Sequence, residues 1–452
     1  MIFKSLKEAL TMSKDERSYK RSREFDSNIN ANFAIYPISI SDSAYLCSLG
    51  AKTCYNLNVA DTYKKNIEHI KRIMGYGHDS ISAHSNIMFL LTISAPKDSN
   101  TDNLNMISII NALPGMRFMN ISVLPFVQTD SSNYNKDSVV LLISGSIRAF
   151  RYFVMKESDL IIDSYSNIDR EFIDSIYTLI YSSIEKEFFT DMLKDNEYNY
   201  FLKENEFKYI PELKLTTVED KDGNEIAVTD ENYAATYHQD AYESKHVTLY
   251  YRDKLEESID SILNIIQDGY SKDAIYKALV KSGIVTIKLH NYSRAISQQI
   301  NRHLSGISQE SQRYVDYSNT EFIDPLPFNP KVYPDPNKKY KIKFGDNNSI
   351  EVTSAELGKL IIDIYPQLKE QGMVNQEARS FLPMNSETKA VHTFTYENLF
   401  HFLKVRDNDR AQPEVQQIAK EIKQLLKESI DNSNPTSSDG KNMLDYMRSF
   451  IE

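Results

Sequence analysis

Three apolar runs set the tightest limit on what this chain can fold into: Ile87 to Ile93, Ser138 to Ser144, and Ile284 to Leu289. Each is long enough for a buried strand and far short of the roughly 20 apolar residues that span a bilayer. Between and after them, apolar residues recur at helical spacing. Helices are expected over 168–195, 253–268, 272–282, 354–371, 396–406 and 412–429, with a short one at the C-terminus. Strands interleaved with helices predict a mixed α+β (α/β) protein. The five prolines between 325 and 336 predict an extended, non-helical crossing. The polar stretch 216–242, broken at Asp222-Gly223, is expected to connect two units of 1–215 and 243–430. A linker and terminal helix then occupy 431–452.

Charge narrows the function classes. The chain of 452 residues carries a net charge of −11, which argues against a general nucleic-acid binder. Against that acidity, Ser293 to Tyr314 (SRAISQQINRHLSGISQESQRY), expected as helix then loop, concentrates three arginines and a histidine among glutamines and serines. A hydrophobic core has no use for such text. Guanidinium forks and hydroxyls match phosphate and carboxylate geometry, so a small anionic ligand is expected there. Further basic groups, Arg379 and Arg406 with Arg410, follow in the same half. Taken singly, an arginine of this kind is more often part of a solvated face or a surface ion pair.

Several chemistries lack their text. There is no GxSxG elbow, no P-loop and no GxGxxG. The two cysteines, Cys47 and Cys54, have no CxxC or Cys/His spacing, so no structural metal and a reducing, cytoplasmic compartment are expected. The N-terminus MIFKSLKEAL lacks a signal peptide's apolar stretch, and no run suggests a membrane anchor. His78 and His84 in Gly77-His78-Asp79-Ser80-Ile81-Ser82-Ala83-His84 are six apart and make a poor metal pair, since they do not share a helix face.

Taken together, these segments resemble the flavin-dependent thymidylate synthases (ThyX family). Thr286 to Val315 is similar to that family's strand, Gln-x-x-Arg-His-Arg signature and SQESQRYV continuation. Glu377-Ala378-Arg379 with Leu382-Pro383, Glu387-Thr388-Lys389, and His401 through Arg406 to Glu414 follow in family order. The first half resembles the same family with other pieces kept. Gly50 to Tyr55 is similar to its AARxCY text, Gly77 to His84 to its GHxSxxEH motif, and Ser144 to Ala149 to its Asn-x-Arg helix start. Departures are Leu304 for the third basic residue of Arg-His-Arg, Ala83 before His84, Gln309 where many members have Glu, and Thr395 and Glu397 for Asn and Arg.

The resemblance implies two diverged, fused copies of one unit, each an antiparallel or mixed sheet with packed helices. Two such chains would form a dimer acting as a pseudo-tetramer. It implies reductive methylation of deoxyuridylate (dUMP) to dTMP with FAD, NADPH and methylene-tetrahydrofolate, without a cysteine nucleophile. Carried over by position, the dUMP ligands are Gln299, Arg302, Gln309, Ser311, Arg313, Arg379 and Arg406, with Arg406 and Ser311 in catalytic roles. The FAD positions are His78, His84, Asn86, Ser146, Arg148, Arg302, His303 and His401. A hydroxymethylase of pyrimidine deoxynucleotides using the same site and a non-catalytic nucleotide-binding relative are the alternatives.

Overall fold

The computed structural model describes residues 32–41, 43–59, 63–75, 78–94, 119–125, 138–149, 217–219, 225–227, 241–266, 269–325, 327 and 335–452. The expected helix at 168–195 and most of the proline crossing lie outside them.

In the first half, β1 (Asn32–Ile40) leads to α1 (Ser43–Cys54), α2 (Tyr63–Gly75) and a short 3-10 turn over Asp79–Ala83. Then follow β2 (Ile87–Ser94), β3 (Asn120–Val123) and β4 (Ser138–Gly145). These strands form an antiparallel sheet in the order β1-β2-β4-β3. The apolar runs around Leu90 and Leu141 are its two central strands, buried on both faces, which is why they read as continuous rather than alternating text. A small hairpin follows, β5 (Thr217–Glu219) with β6 (Glu225–Ala227), bracketing Asp222-Gly223 inside the expected connection.

The second half begins with β7 (Tyr242–Glu243), β8 (Val247–Arg252), α3 (Leu255–Ile266), α4 (Lys272–Ser282) and β9 (Ile284–Ser293). Next come α5 (Arg294–Ile300), β10 (Gly306–Gln309), and the hairpin β11 (Tyr340–Phe344) with β12 (Asn348–Val352). α6 (Ser354–Ile362), α7 (Ile364–Glu370), α8 (Asn375–Ala378), β13 (Glu387–Thr395), α9 (Tyr396–Arg406), α10 (Pro413–Asp431) and α11 (Ser438–Arg448) complete it. The second sheet is antiparallel in the order β10-β13-β9-β8-β7. Numbered from its own first long strand, it repeats the connection order of the first sheet.

Three expectations need correction. The strand expected over 284–289 runs on to Ser293 because β13 flanks it to its end, pairing Thr388 with Tyr292 and Glu387 with Ser293, whereas β8 pairs with it only as far as Leu289. The helix expected over 354–371 is two helices meeting at Asp363. Pro366 has no N–H to give Ile362 and its ring crowds that carbonyl, so one continuous helix cannot form. The segment after α5, expected as loop, contains edge strand β10, whose backbone pairs with β13 from Gly306↔Thr393 to Gln309↔Ala390.

The halves are welded through one core. Met88, Leu90 and Leu142 of the first sheet lie in the same buried cluster as Val285, Ile287, Phe402, Ile418 and Leu425 of the second half. The packing is reciprocal: α4 lies on β3 and β4, while α1 and the 3-10 turn lie against β10. α1 presents Tyr45, Leu46 and Leu49 to Ile284 and Val391 on the face of the second sheet opposite α9 and α10. Two glycines permit this closeness. A Cβ on Gly50 would stand 2.4 Å from the His84 ring, and one on Gly306 would stand 2.6 Å from the Ala83 carbonyl oxygen.

Asp253 is the polar counterpart of the shared core. It is fully buried between β8 and α3 and accepts from Ser39 Oγ at 2.9 Å, Asn86 Nδ2 at 3.0 Å, Tyr251 Oη at 2.7 Å and the Ile284 amide at 2.8 Å. Two of these donors come from each half. Burial pushes its carboxyl up from the usual range, and the four hydrogen bonds oppose that push.

Candidate functional site: a guanidinium, imidazole and amide cluster

α9 begins at Thr395, whose hydroxyl caps the Asn398 amide at 3.3 Å, and ends with Arg406 in its last turn. A guanidinium at a helix C-terminus is favoured by the helix dipole. From there Arg406 Nε donates to His303 Nε2 at 3.1 Å, and Nη2 donates to the Gln299 carbonyl oxygen at 3.0 Å. A longer contact of 3.5 Å joins Nη1 to Gln299 Oε1. Gln299 in turn donates through Nε2 to Gln412 Oε1 at 2.6 Å, at the start of α10. Four of the expected site residues, Gln299, His303, His401 and Arg406, are thereby brought together.

The His303 ring packs edge-on to Phe402 with centroids 4.9 Å apart and lies 6.0 Å from the His401 ring. Burial first, then the electrostatic influence of Arg406 and of the neighbouring His401, lower its pKa to about 4, so the ring is neutral at physiological pH. Accepting from Arg406 at Nε2 places its proton on Nδ1. Arg302 and His401 are exposed beside it, and Leu304 stands 77% exposed just beyond.

The second group lies along the SQESQRY text. Gln309 accepts from Asn301 Nδ2 at 3.2 Å and donates to Thr388 Oγ1 at 3.4 Å, which ties the strand end to the α5 turn. The Ser311 amide donates to the Cys54 carbonyl oxygen at 2.9 Å, and the Tyr314 ring sits 5.6 Å from Tyr55. Arg313 is exposed, 5.4 Å above the Tyr314 ring. Asn375 Nδ2 reaches the Tyr314 carbonyl oxygen at 3.4 Å, and Ala378 packs with Val315 and Tyr317, so α8 brings exposed Arg379 to the same loop. Alternate members of the loop turn inward: Glu310 and Gln312 are buried, with Glu310 accepting from Tyr317 Oη at 2.9 Å.

The first-half positions behave differently. His84 is 0% exposed, with Nδ1 2.9 Å from Thr393 Oγ1 and Nε2 2.8 Å from Ser308 Oγ. Burial lowers its pKa to about 4. Both ring nitrogens are taken by the second half and no ring atom faces solvent, so within this chain His84 is an internal brace. Asn86 is also buried, donating to Asp253 and to the Ser282 carbonyl oxygen at 3.0 Å each. Ser146 Oγ accepts from the Ala149 amide at 3.2 Å and is partly occupied as a helix cap. Arg148 is half-buried and His78 exposed, so these two keep access to solvent.

Sequence reasoning missed His392, a fully buried imidazole beside the cluster, stacked 5.5 Å from Phe394 and 3.2 Å from Ser305 Oγ. Desolvation, then the neighbouring His84 and His303, lower its pKa to about 3. Its signal was a histidine at the centre of an apolar strand, AVHTF. Cys54 has its thiol pushed up by burial, which suits a spectator rather than a nucleophile. Among the described residues no group of three or more His, Cys, Asp or Glu could hold a metal, and no helix is long and apolar enough to cross a membrane.

Fold and site together define a mixed α/β protein of antiparallel sheets with a cluster of arginine, histidine and glutamine at the C-terminal end of a helix. Residues 226–430 match the family model described as thymidylate synthase complementing protein. Relatives agree: the flavin-dependent thymidylate synthase of Geobacter sulfurreducens is 29% identical over 153 residues, 34% of this chain and 60% of the relative. That of Nitratidesulfovibrio vulgaris is 29% identical over 174 residues, 37% of this chain and 64% of the relative. The chain thus spans under two thirds of the length of these curated relatives. A solved structure of ThyX from Helicobacter pylori, complexed with FAD and dUMP, is 17% identical with a TM-score of 0.29, covering 40% of this chain and 93% of that one. Over 226–430 the chain is therefore similar to the flavin-dependent thymidylate synthases.

Proposed function

We propose that this protein is an FAD-dependent thymidylate synthase that reductively methylates dUMP to dTMP. The observation that carries the reading is the Arg406, His303 and Gln299 cluster, formed from residues at the positions the family resemblance names and hydrogen-bonded to one another. A guanidinium oriented by a neutral imidazole and a main-chain carbonyl needs little reorganisation to act on a developing anion.

The exposed donors fit a flavin dinucleotide. Arg302 offers a guanidinium suited to phosphate, and the His303 and His401 rings offer a polar aromatic surface. Bound there, FAD reduced by NADPH would supply the hydride that completes a methyl group donated by methylene-tetrahydrofolate. Arg406 would face the uracil amide, where its charge favours the anionic ring and raises electron density at carbon 5. Gln299 would hold the base edge. Gln309, Ser311, Arg313 and Arg379 would hold the nucleotide's phosphate and sugar from the SQESQRY loop. No thiolate is needed. His84 and Asn86 support the flavin edge from inside the protein rather than by contact.

We also read the chain as two fused, diverged copies. The shared connection order of the two sheets supports this, as do equivalent details around them. β1 and β8 each carry a register shift against the next strand, between Pro37 and Ser39 and between Leu249 and Tyr251. The helix after β4 is capped by Ser146 and that after β13 by Thr395, each accepting from the amide three residues on. A dimer of this chain would then stand in for the four units of a tetramer.

The test is product analysis from dUMP and methylene-tetrahydrofolate with the purified chain, with and without NADPH. NADPH-dependent dTMP and a flavin absorbance band are expected. A hydroxymethylated nucleotide would assign the hydroxymethylase reaction instead, and a colourless protein that binds dUMP without turnover would reduce the chain to a nucleotide-binding relative.

A further inference from the structure

A cavity of about 210 Å³ opens on the second sheet, on the face covered by α1 and opposite α9, away from the Arg406 cluster. Its floor is the middle of the sheet: Lys288 and His290 from β9, Thr248 from β8 and Lys389 from β13. Lys288 pairs with Thr248 on one side and Val391 on the other, so its ammonium rises from the sheet interior rather than from a rim. The roof is the turn that ends α1, including Thr53 and Asn56. Strand alternation explains why Ile284 under α1 gives way, two steps of period 2 later, to Lys288 and then His290 on the same face.

Two features of this cavity have no structural use in the chain by itself. Lys288 Nζ makes no hydrogen bond or ion pair among the described residues, although the side chain lies under the roof. Burial, and then the nearby Lys389, lower its pKa. Thr53 is 2% exposed, and its hydroxyl is buried without a hydrogen-bond partner. Lys389 is held in place by Asn56 Oδ1 at 3.0 Å, and His290 by Thr248 Oγ1 at 3.2 Å. Two carboxylates oppose this positive charge: Glu243 also lines the cavity, 3.9 Å from His290 with a side chain 69% exposed, and Glu310, which accepts from Tyr317, acts with it on Lys288.

We propose that this cavity is a binding site for a compact oxyanion, a phosphate or carboxylate group of a small metabolite, held by the ammonium groups of Lys288 and Lys389 with the Thr53 hydroxyl as a further donor. Two lysines facing one cavity repel each other until an anion sits between them, and the orphan hydroxyl gains a partner in the same event. The site takes one group from the first half of the chain and two from the second. It does not depend on the proposed methylation, because none of its residues belongs to the Arg406 cluster or to the SQESQRY loop.

The test is calorimetric titration of the full-length chain with inorganic phosphate and, separately, with glutarate, at constant ionic strength set with chloride. Saturable binding of at least one of the two at one site per chain is expected, with phosphate alone indicating a phosphoryl-bearing ligand and glutarate alone a carboxylate-bearing one. K288M and K389M should each weaken that binding at least tenfold, while R313A and R379A leave it unchanged. Lys389 is exposed enough for K389M to fold if K288M does not. Absence of saturable binding of either anion, binding indifferent to both lysine changes, or binding lost in R313A or R379A would overturn the proposal. The last outcome would place the anion in the proposed nucleotide site, whose own test by product analysis stands apart.

Discussion

At the scale of single residues, the cluster around Arg406 separates chemistry from folding. Arg406 is half-buried at a helix end and its hydrogen bonds go to groups that water can also satisfy, so Arg406→Ala should fold normally. Turnover should fall by about 100-fold or more, the scale of removing one preorganised electrostatic group, with a melting temperature close to that of the parent. His84→Ala should do the reverse. Loss of a buried ring and of two hydrogen bonds should cost about 2–4 kcal/mol, read by denaturant melts, while flavin content per folded chain stays constant. Flavin loss without destabilisation would return His84 to a ligand role. Leu304 tests the flavin edge directly: because its side chain is 77% exposed, Leu304→Arg should leave the melt unchanged and tighten FAD binding by about tenfold, one charge-assisted hydrogen bond's worth. His84 and His392 titrate near about 4 and about 3 when folded, against about 6.5 when unfolded. Below pH ~6.5 the unfolded chain takes up protons that the folded one refuses, so stability falls with pH by roughly 1 kcal/mol per unit for each histidine, down to the folded values. Above that pH these groups contribute no slope. Calorimetric melts between pH 7.5 and 4.5 check this, and a flat profile would contradict the buried placement.

At the scale of elements, legibility followed how local the cause was. α4 and α9 fall where the residue pattern places them, over 272–282 and 396–406, because their caps Ser271 and Thr395 and their apolar stripes are written in adjacent residues. β2 and β4 announce themselves by length and continuity of apolar text. β10 does not, since Gly306 to Gln309 is a strand through pairing with β13, some 80 residues further on. The hairpin β11–β12 was equally silent, its residues being mostly exposed and without a buried face to impose alternation. Among the expected site residues, the basic and glutamine-rich text named Gln299, His303 and Arg406, which the fold brings into hydrogen-bond contact. That text could not distinguish exposed Arg313 from buried Gln312, nor show that His84 faces inward, because those outcomes depend on α1 closing over the second sheet. Asp253 is the element-scale counterpart: Asp253→Ala would strand donors from β1, the turn before β2, β8 and β9 together. A loss of upward of about 3 kcal/mol is expected, seen as an earlier, broader melt, with Asp253→Asn intermediate.

At the scale of the molecule, the reciprocal packing of α1 on the second sheet and α4 on the first means that neither half closes its own core. A fragment of residues 243–452 would expose the face of Ile284 and Val391 along with the surface beneath Met88 and Leu90. It should therefore fail to give a cooperative melt, whereas co-expression with residues 1–242 should restore one; an independently folded, monomeric 243–452 would refute the shared core. The tether has a further effect. Contacts between two separate subunits weaken on dilution, but contacts within one chain have a fixed local concentration, commonly in the millimolar range for a flexible link. Such a protein could keep the surface between its halves closed at a few copies per cell. On the proposed reading of two fused copies, a substitution in one half is also not copied into the other, as it would be across a symmetric assembly, so each half is free to lose what its neighbour still provides.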